Sequence, residues 1–267
     1  ISEGSALSDR TVPKQIETEE RTVRLGVSPV GADTGYIRSV AERPETSERT
    51  ESFLKAMGGR RLILSVGRTD YTKGGAEQLL TFERLLEKHP EYRETVKLLH
   101  VSVSANRNMT AYEEIQREIE EIAGRINGRF ATFERTPVSL ISNAIPFTDL
   151  VSYYRAADVV WITPLADGMN LVCKEFIAAR SDEDGVVVLS EFAGAAIELS
   201  SAILTNPYSH KNMDHAIEAA LTMSEENRRM RMKDLRRVVE KYNTKAWAQD
   251  QLALLSPEDF GGDTEAA

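Results

Sequence analysis

The chain has a single cysteine, Cys173, in 267 residues, so no disulfide can close within it. That usage leans towards a reducing, cytoplasmic setting. It also lacks a long apolar run: nothing approaches the roughly 20 residues that a membrane-spanning helix needs. It has no surplus of positive charge. Its 33 Lys and Arg stand against 42 Asp and Glu, a formal net charge of −9. That balance argues against nucleic acid or an anionic membrane as the main partner, while remaining compatible with a local basic pocket for a phosphate. Its four histidines, His89, His100, His210 and His215, are scattered, and the last two lack a helical metal spacing. No metal site is expected. There is no GxGxxG and no Walker A pattern, no internal repeat and no low-complexity tract. The start, ISEGSALSDR, has no initiator methionine, no apolar signal core and no Arg-rich transit pattern. It reads as the middle of a longer protein, and the closing GGDTEAA as a frayed tail.

What is present is an ordinary globular composition, 41% hydrophobic and 28% charged, long enough for one large domain or two modest ones. Residues 10–31 read as a short extended piece, and a helix is expected from about Ser47 to Met57, stopped by Gly58-Gly59. A regular alternation follows. RLILSVG (61–67), VKLLHVSV (96–103), VSLIS (138–142), VVWIT (159–163), VVVLS (186–190) and AILTN (202–206) read as buried strands. Helices are expected over 74–89, 110–127, 148–156, from about Met169 to Arg180, and through most of 212–255 with a break near Asn243-Thr244. The second is the clearest: Ile115, Ile119, Ile122 and Ile126 share a face, and Thr110 with Glu113 makes a capping box. Strands alternating with helices predict an α/β fold, a doubly wound parallel sheet of Rossmann type. Such sheets bind ligands at the carboxyl ends of their strands.

Three loops lie on that edge. GRTDYTKGG (67–75) sets Arg68 and Lys73 five residues apart between glycines and beside a helix start, which suits a diphosphate; a solvated turn is the plainer alternative. SVSANRNMT (102–110) carries Arg107 before a well-capped helix, although Asn106 and Asn108 could simply make the turn. PLADGMNLVCKE (164–175) places a carboxylate, Asp167, before a helix start whose free N–H groups at Gly168, Met169, Asn170 and Leu171 suit phosphate. Asp167 would repel phosphate and should face neutral hydroxyls. Glu175, on one face with Leu171, could reach a ribose diol. The alternative is that Asp167 is only an N-cap and Glu175 only a surface acid. A fourth stretch, SEFAGAAIEL (190–199), has small residues that permit close backbone approach to a ligand or a neighbouring helix. Cys173 reads as a buried helix residue, and Trp161 and Trp247 as packing residues.

The set GRTDYTKG, GRINGRF (124–130), TPLADGMNLVCKE (163–175), LSEFAGAAIEL (189–199) and NPYS (206–209) resembles the trehalose-phosphate synthase family of retaining glycosyltransferases. The resemblance runs over roughly residues 25–255, and the order and spacing of the motifs are specific. It implies the GT-B fold, two Rossmann-like domains facing across a cleft, with this chain as the C-terminal, donor-binding half. Residues 1–58 would be the end of the N-terminal domain and a linker, 59–242 the donor-binding domain, and 243–267 a final helix and tail. By resemblance, Arg68 and Lys73 bind the donor diphosphate. Asp167 holds hydroxyls of the transferred glucose, and Gly168, Met169, Asn170, Leu171 and Val172 cradle sugar and phosphate. Glu175 takes the nucleotide ribose. The family needs no metal and no cofactor, and its same-face transfer uses no protein nucleophile.

Two positions depart from the family pattern. An arginine usual in the second loop is here Asn106, with Arg107 beside it, and an arginine usual before Asp-Gly is here Ala166. Both bear on the acceptor. AIPFTDLVSYYRAAD and LTNPYSHKNMD look more like the glucosylglycerol-phosphate synthase branch, which takes glycerol 3-phosphate in place of glucose 6-phosphate. Asn106 and Arg107 are then the candidates for the acceptor phosphate. The expectation is glucose transfer from a nucleotide sugar, ADP-glucose, to glycerol 3-phosphate. The alternatives are trehalose-phosphate synthesis and an inactive nucleotide-sugar-binding module. As an isolated half, the chain is expected to bind nucleotide without turning over. Homo-oligomer formation stays open.

Overall fold

The computed structural model describes residues 15–104 and 110–254. The extended piece near the start is a small antiparallel hairpin, β1 (Gln15–Glu17) and β2 (Thr22–Arg24). Two helices follow: α1 (Thr34–Ala41), absent from the sequence expectation, and α2 (Pro44–Met57), which starts earlier than expected because Pro44 suits a first helical position. The α/β alternation then runs β3 (Arg61–Thr69), α3 (Gly75–Lys88), a single turn α4 (Tyr92–Thr95), β4 (Val96–Ser104), α5 (Thr110–Phe130) and β5 (Val138–Ile141). It continues through α6 (Phe147–Ala156), β6 (Val159–Ile162), α7 (Leu171–Ala179), β7 (Val186–Ser190), the turn α8 (Ala195–Glu198) and β8 (Ile203–Thr205). The closing helices are α9 (His210–Thr222), α10 (Glu225–Lys241) and α11 (Thr244–Leu254). The break at Asn243 is as expected. A second, at Met223-Ser224, was not expected, and Ser224 marks it by capping α10 through Asn227 N–H.

Strands β3 to β8 form one parallel sheet in the order β5-β4-β3-β6-β7-β8. Its two faces can be read along a single strand. Leu62 and Leu64 join one core with Val160, Ile162, Val187 and Leu189, covered by α1, α2, α6, α7 and α10. Ile63 joins the other with Leu98, Val159, Trp161 and Val188, covered by α3, α5 and α9. On α5, Ile119, Ile122 and Ile126 are buried and Ile115 packs against them. Strands buried on both faces explain the near-continuous apolar runs. Ile37, Val40 and Met57, which precede residue 59, belong to the first core. The start of α11 meets residues 28–31: Thr244 Oγ1 donates to Gly31 O at 2.7 Å and Trp247 Nε1 to Ser28 O at 3.2 Å.

Candidate active site

Chain order reverses between β3 and β6, which puts a switch point at the middle of the sheet. The two strands pair only at Ile63–Val159 and Leu64–Val160. On its other side β3 stays paired to β4 as far as Thr69–Ser104. Where β3 and β6 part, a cavity of about 370 Å³ opens. It is lined by Arg68, Lys73, Asp167, Met169, Asn170, Leu171 and Val172, among others.

The loop after β3 is built by Asp70 and Gly74. Asp70 Oδ1 accepts from Thr72 N and Thr72 Oγ1, both at 2.8 Å, closing the turn that presents Lys73. Burial would raise the Asp70 carboxyl, but the Thr72 donors and the charges of Lys73 and Arg68 outweigh it and hold it below the usual range. Gly74 has φ +69, and a Cβ there would lie 2.4 Å from Thr163 O, so only glycine fits this loop against the end of β6. Arg68 is exposed, with its guanidinium 4.0 Å from Asp70.

The loop after β6 is held from both sides. Leu165 N donates to Thr72 O at 2.7 Å, joining the two loop tips. Asp167 N donates to Phe192 O, Gly194 N to Asp167 O and Ala195 N to Met169 O, at 3.2, 2.9 and 2.8 Å. A Cβ on Gly194 would lie 2.1 Å from Gly168 O. The small residues of 193–196 are therefore explained by backbone packed on backbone, and the neighbour is the Asp167 loop itself.

The Asp167 carboxylate gathers three donors: Lys73 Nζ at 2.8 Å and Asn170 Nδ2 at 3.2 Å on Oδ2, and Met169 N at 3.2 Å on Oδ1. Burial pushes this carboxyl up, but the Lys73 hydrogen bond and charge, with the other donors, bring it below the ordinary value. It is ionised at neutral pH. Helix α7 begins at Leu171 rather than Met169, because Asn170 is the cap. Asn170 Oδ1 accepts from Cys173 N at 3.1 Å, and its φ of +81 makes the sharp entry. The first turn leaves the Leu171 and Val172 N–H groups without intrahelical acceptors at the cavity wall.

Gly168 does not line the cavity; its carbonyl lies against Gly194. Glu175 does not line it either. Its carboxylate accepts from Tyr154 Oη at 2.9 Å, and burial raises it while that hydrogen bond works the other way. Asn106 and Arg107 lie outside the described residues. Cys173 is fully buried and desolvation pushes its thiol up to about 12, which makes it inert. Sequence reasoning missed two residues on the cavity floor, Gln78 and His100. His100 is fully buried with Nδ1 unpartnered, and desolvation lowers it to about 4, so the imidazole is neutral. Both were visible as polar residues inside apolar patterns.

Comparison with known proteins bears on the family and the fold. The model of glycosyltransferase family 20 matches residues 4–256. The glucosylglycerol-phosphate synthase of a Picosynechococcus species is 44% identical over 233 residues, 87% of this chain and 47% of that protein. The UDP-forming α,α-trehalose-phosphate synthase of Pichia angusta is 36% identical over 242 residues, 90% of this chain and 51% of that one. The chain thus spans about half the length of these curated relatives. Among solved structures, the UDP-forming α,α-trehalose-phosphate synthase of Burkholderia xenovorans, in complex with glucose-6-phosphate, superposes with a TM-score of 0.86. It is 36% identical and is matched over 90% of this chain and 54% of its own.

Proposed function

Because the chain belongs to glycosyltransferase family 20 and has the Rossmann-like half of a GT-B fold, we propose that it is the donor-binding half of a retaining glucosyltransferase. On this reading the enzyme moves glucose from a nucleotide sugar, ADP-glucose, to glycerol 3-phosphate. The observation that carries it is the contact of Lys73 with Asp167 at the mouth of the switch-point cavity, beside the start of α7. The β3 edge of the site is cationic, as a diphosphate requires. The β6 edge carries an ionised carboxylate, which excludes phosphate and suits sugar hydroxyls, followed by the N–H donors at the start of α7. Lys73 is held by Asp167 before substrate arrives, so little side-chain order remains to be imposed on binding.

The chemistry follows from that division. As the bond from the glucose anomeric carbon to the diphosphate oxygen breaks, negative charge grows on the diphosphate, and Arg68, Lys73 and the α7 N–H groups stabilise it. Asp167 fixes the glucose so that the acceptor hydroxyl attacks on the face the diphosphate leaves. The leaving diphosphate takes the acceptor proton, which gives retention without a protein nucleophile. The two cations supply the charge neutralisation that a divalent ion supplies elsewhere, so we expect no metal requirement. Residues 59–242 form the donor unit. Residues 1–58 and 243–267 would carry the chain from and back to the other half of the cleft, with α1 and α2 packed on the donor unit on the way. Without that other half, the chain should bind nucleotide and not turn over.

Glycerol 3-phosphate is favoured by Ala166, an exposed uncharged residue next to Asp167 in the chain, and by 44% identity to the relative named for glucosylglycerol phosphate against 36% for those named for trehalose phosphate. Trehalose-phosphate synthesis from UDP-glucose and glucose 6-phosphate is the second reading, favoured by the close superposition on such a synthase. The test is the full-length protein with ADP-glucose or UDP-glucose against glycerol 3-phosphate and glucose 6-phosphate. Turnover only with glucose 6-phosphate would overturn the first reading.

A further inference from the structure

The cationic and carboxylate edges of the site hang from two strands that stop pairing after Leu64–Val160. Something must fix the gap between them. Helix α3 buries Leu79, Phe82, Leu85 and Leu86, with Thr81, Glu83 and one amide, Gln78, which is 2% exposed. Gln78 lies across the gap. On the β3 side its Oε1 accepts from Ser65 Oγ at 2.6 Å. On the β6 side its Nε2 donates to Trp161 O at 2.8 Å and to Thr163 Oγ1 at 3.0 Å. The Trp161 carbonyl can only accept, so the amide orientation is determined, and Ser65 must be the donor on the other side. Ser65 stands three residues before Arg68, and Thr163 four before Asp167. A leucine would fill the same volume and leave these polar atoms unmatched, so the amide is there for its directional bonds.

We propose that Gln78 is a positioning residue: its buried amide clamps β3 to β6 where they have ceased to pair, and so sets the separation of Lys73 from Asp167. This rests on the roles given to Lys73 and Asp167 above. Gln78 acts through those residues, and Leu165 N to Thr72 O ties the loop tips above it.

The test uses the full-length protein with Gln78→Leu and Gln78→Glu. Transfer of glucose from the nucleotide sugar to glycerol 3-phosphate is followed from pH 6 to 8.5, and ADP and UDP affinities by calorimetry. The Asp167 carboxyl is titrated by 13C NMR in aspartate-labelled protein, its signal identified with Asp167→Asn. For Gln78→Leu, kcat should fall about 10- to 100-fold, since small misplacements of reacting groups have effects of that order. The acceptor KM should stay within threefold, and the Asp167 titration should move up. For Gln78→Glu, the neutral acid can still donate to Trp161 O and accept from Ser65, and burial raises its midpoint. Activity should be near wild type at acidic pH and fall as pH rises, a limb the wild type lacks. If Gln78→Leu does not fold, this limb decides. A folded Gln78→Leu with kcat within threefold of wild type and an unmoved Asp167, or a Gln78→Glu profile parallel to wild type, overturns the proposal. If the wild type neither binds nucleoside diphosphate nor transfers glucose, the proposed function fails instead, and the Asp167 titration alone decides the clamp.

Discussion

Replacing Gly194 with alanine would put a methyl where the chain has backbone. The new Cβ would stand 2.1 Å from Gly168 O, 2.8 Å from Gly168 C and 3.4 Å from Met169 Cα. A carbon–oxygen contact needs roughly 3 Å or more, so one segment must move by about 1 Å. Neither is free to move alone, because Asp167 N, Gly194 N and Ala195 N bind them to each other. The strain should cost about 1–3 kcal/mol of stability, as overpacking does. The functional effect should be larger. Displacing Asp167 by about 1 Å against a sugar held by the diphosphate should cost on the order of 100-fold in kcat, or about 2.7 kcal/mol of barrier. Nucleoside diphosphate affinity should change less, because Arg68 and Lys73 belong to β3 and the loop after it, and only the α7 N–H groups move with Asp167. Steady-state transfer, calorimetric titration with ADP or UDP and a thermal melt of full-length Gly194→Ala separate these effects. Transfer within threefold of wild type and an unchanged melt would refute the account of how Asp167 is held.

Other outcomes follow from single residues. His100 titrates near 4 when folded and near 6.5 when unfolded, so the unfolded state takes up the proton first as pH falls. His100 should take about 3 kcal/mol from stability between pH 6.5 and 4, opposed by the Glu175 and Asp158 carboxyls, which burial raises and which bind protons more readily when folded; His100→Gln should remove the His100 part in urea midpoints, and an identical pH dependence would exclude His100 as a source. The depressed Asp70 and Asp167 carboxyls contribute stability that is lost only below about pH 4, outside this window. Gly124 and Gly128 are exposed within α5 with nothing near a new Cβ, so Gly124→Ala with Gly128→Ala should add roughly 1–2 kcal/mol in a denaturant melt; destabilisation would contradict the helix assignment. Lys73→Met should weaken nucleoside diphosphate binding about 10- to 100-fold by calorimetry, the worth of one hydrogen bond to a charged group; unchanged affinity would remove Lys73 from the diphosphate site.

The sheet was legible because its strands are buried on both faces and read as unbroken apolar runs, and α5 because its isoleucines recur at helical spacing. Helix α1 was not: TGYIRSVA offers only Ile37, Val40 and Ala41 to the core, and packing supplies the rest. The residue types of the site were legible as charge in loops. Their meeting was not, since Lys73 and Asp167 are 94 residues apart and touch only because β6 lies beside β3. Asp167 read equally as a cap, and it took the φ of Asn170 to assign the cap elsewhere. Glu175 was placed towards a ribose by counting from Leu171. Its partner Tyr154 comes from α6, and no local pattern announces that contact.

The central claim is that Asp167 serves the sugar while Arg68 and Lys73 serve the diphosphate. Asp167→Ala in the full-length protein tests it most directly, with glucose transfer and ADP or UDP binding measured on the same preparation. Transfer should fall by orders of magnitude, while nucleoside diphosphate affinity stays the same or tightens, because Lys73 loses the carboxylate that competes for it. Loss of nucleoside diphosphate binding with the fold intact would contradict the claim.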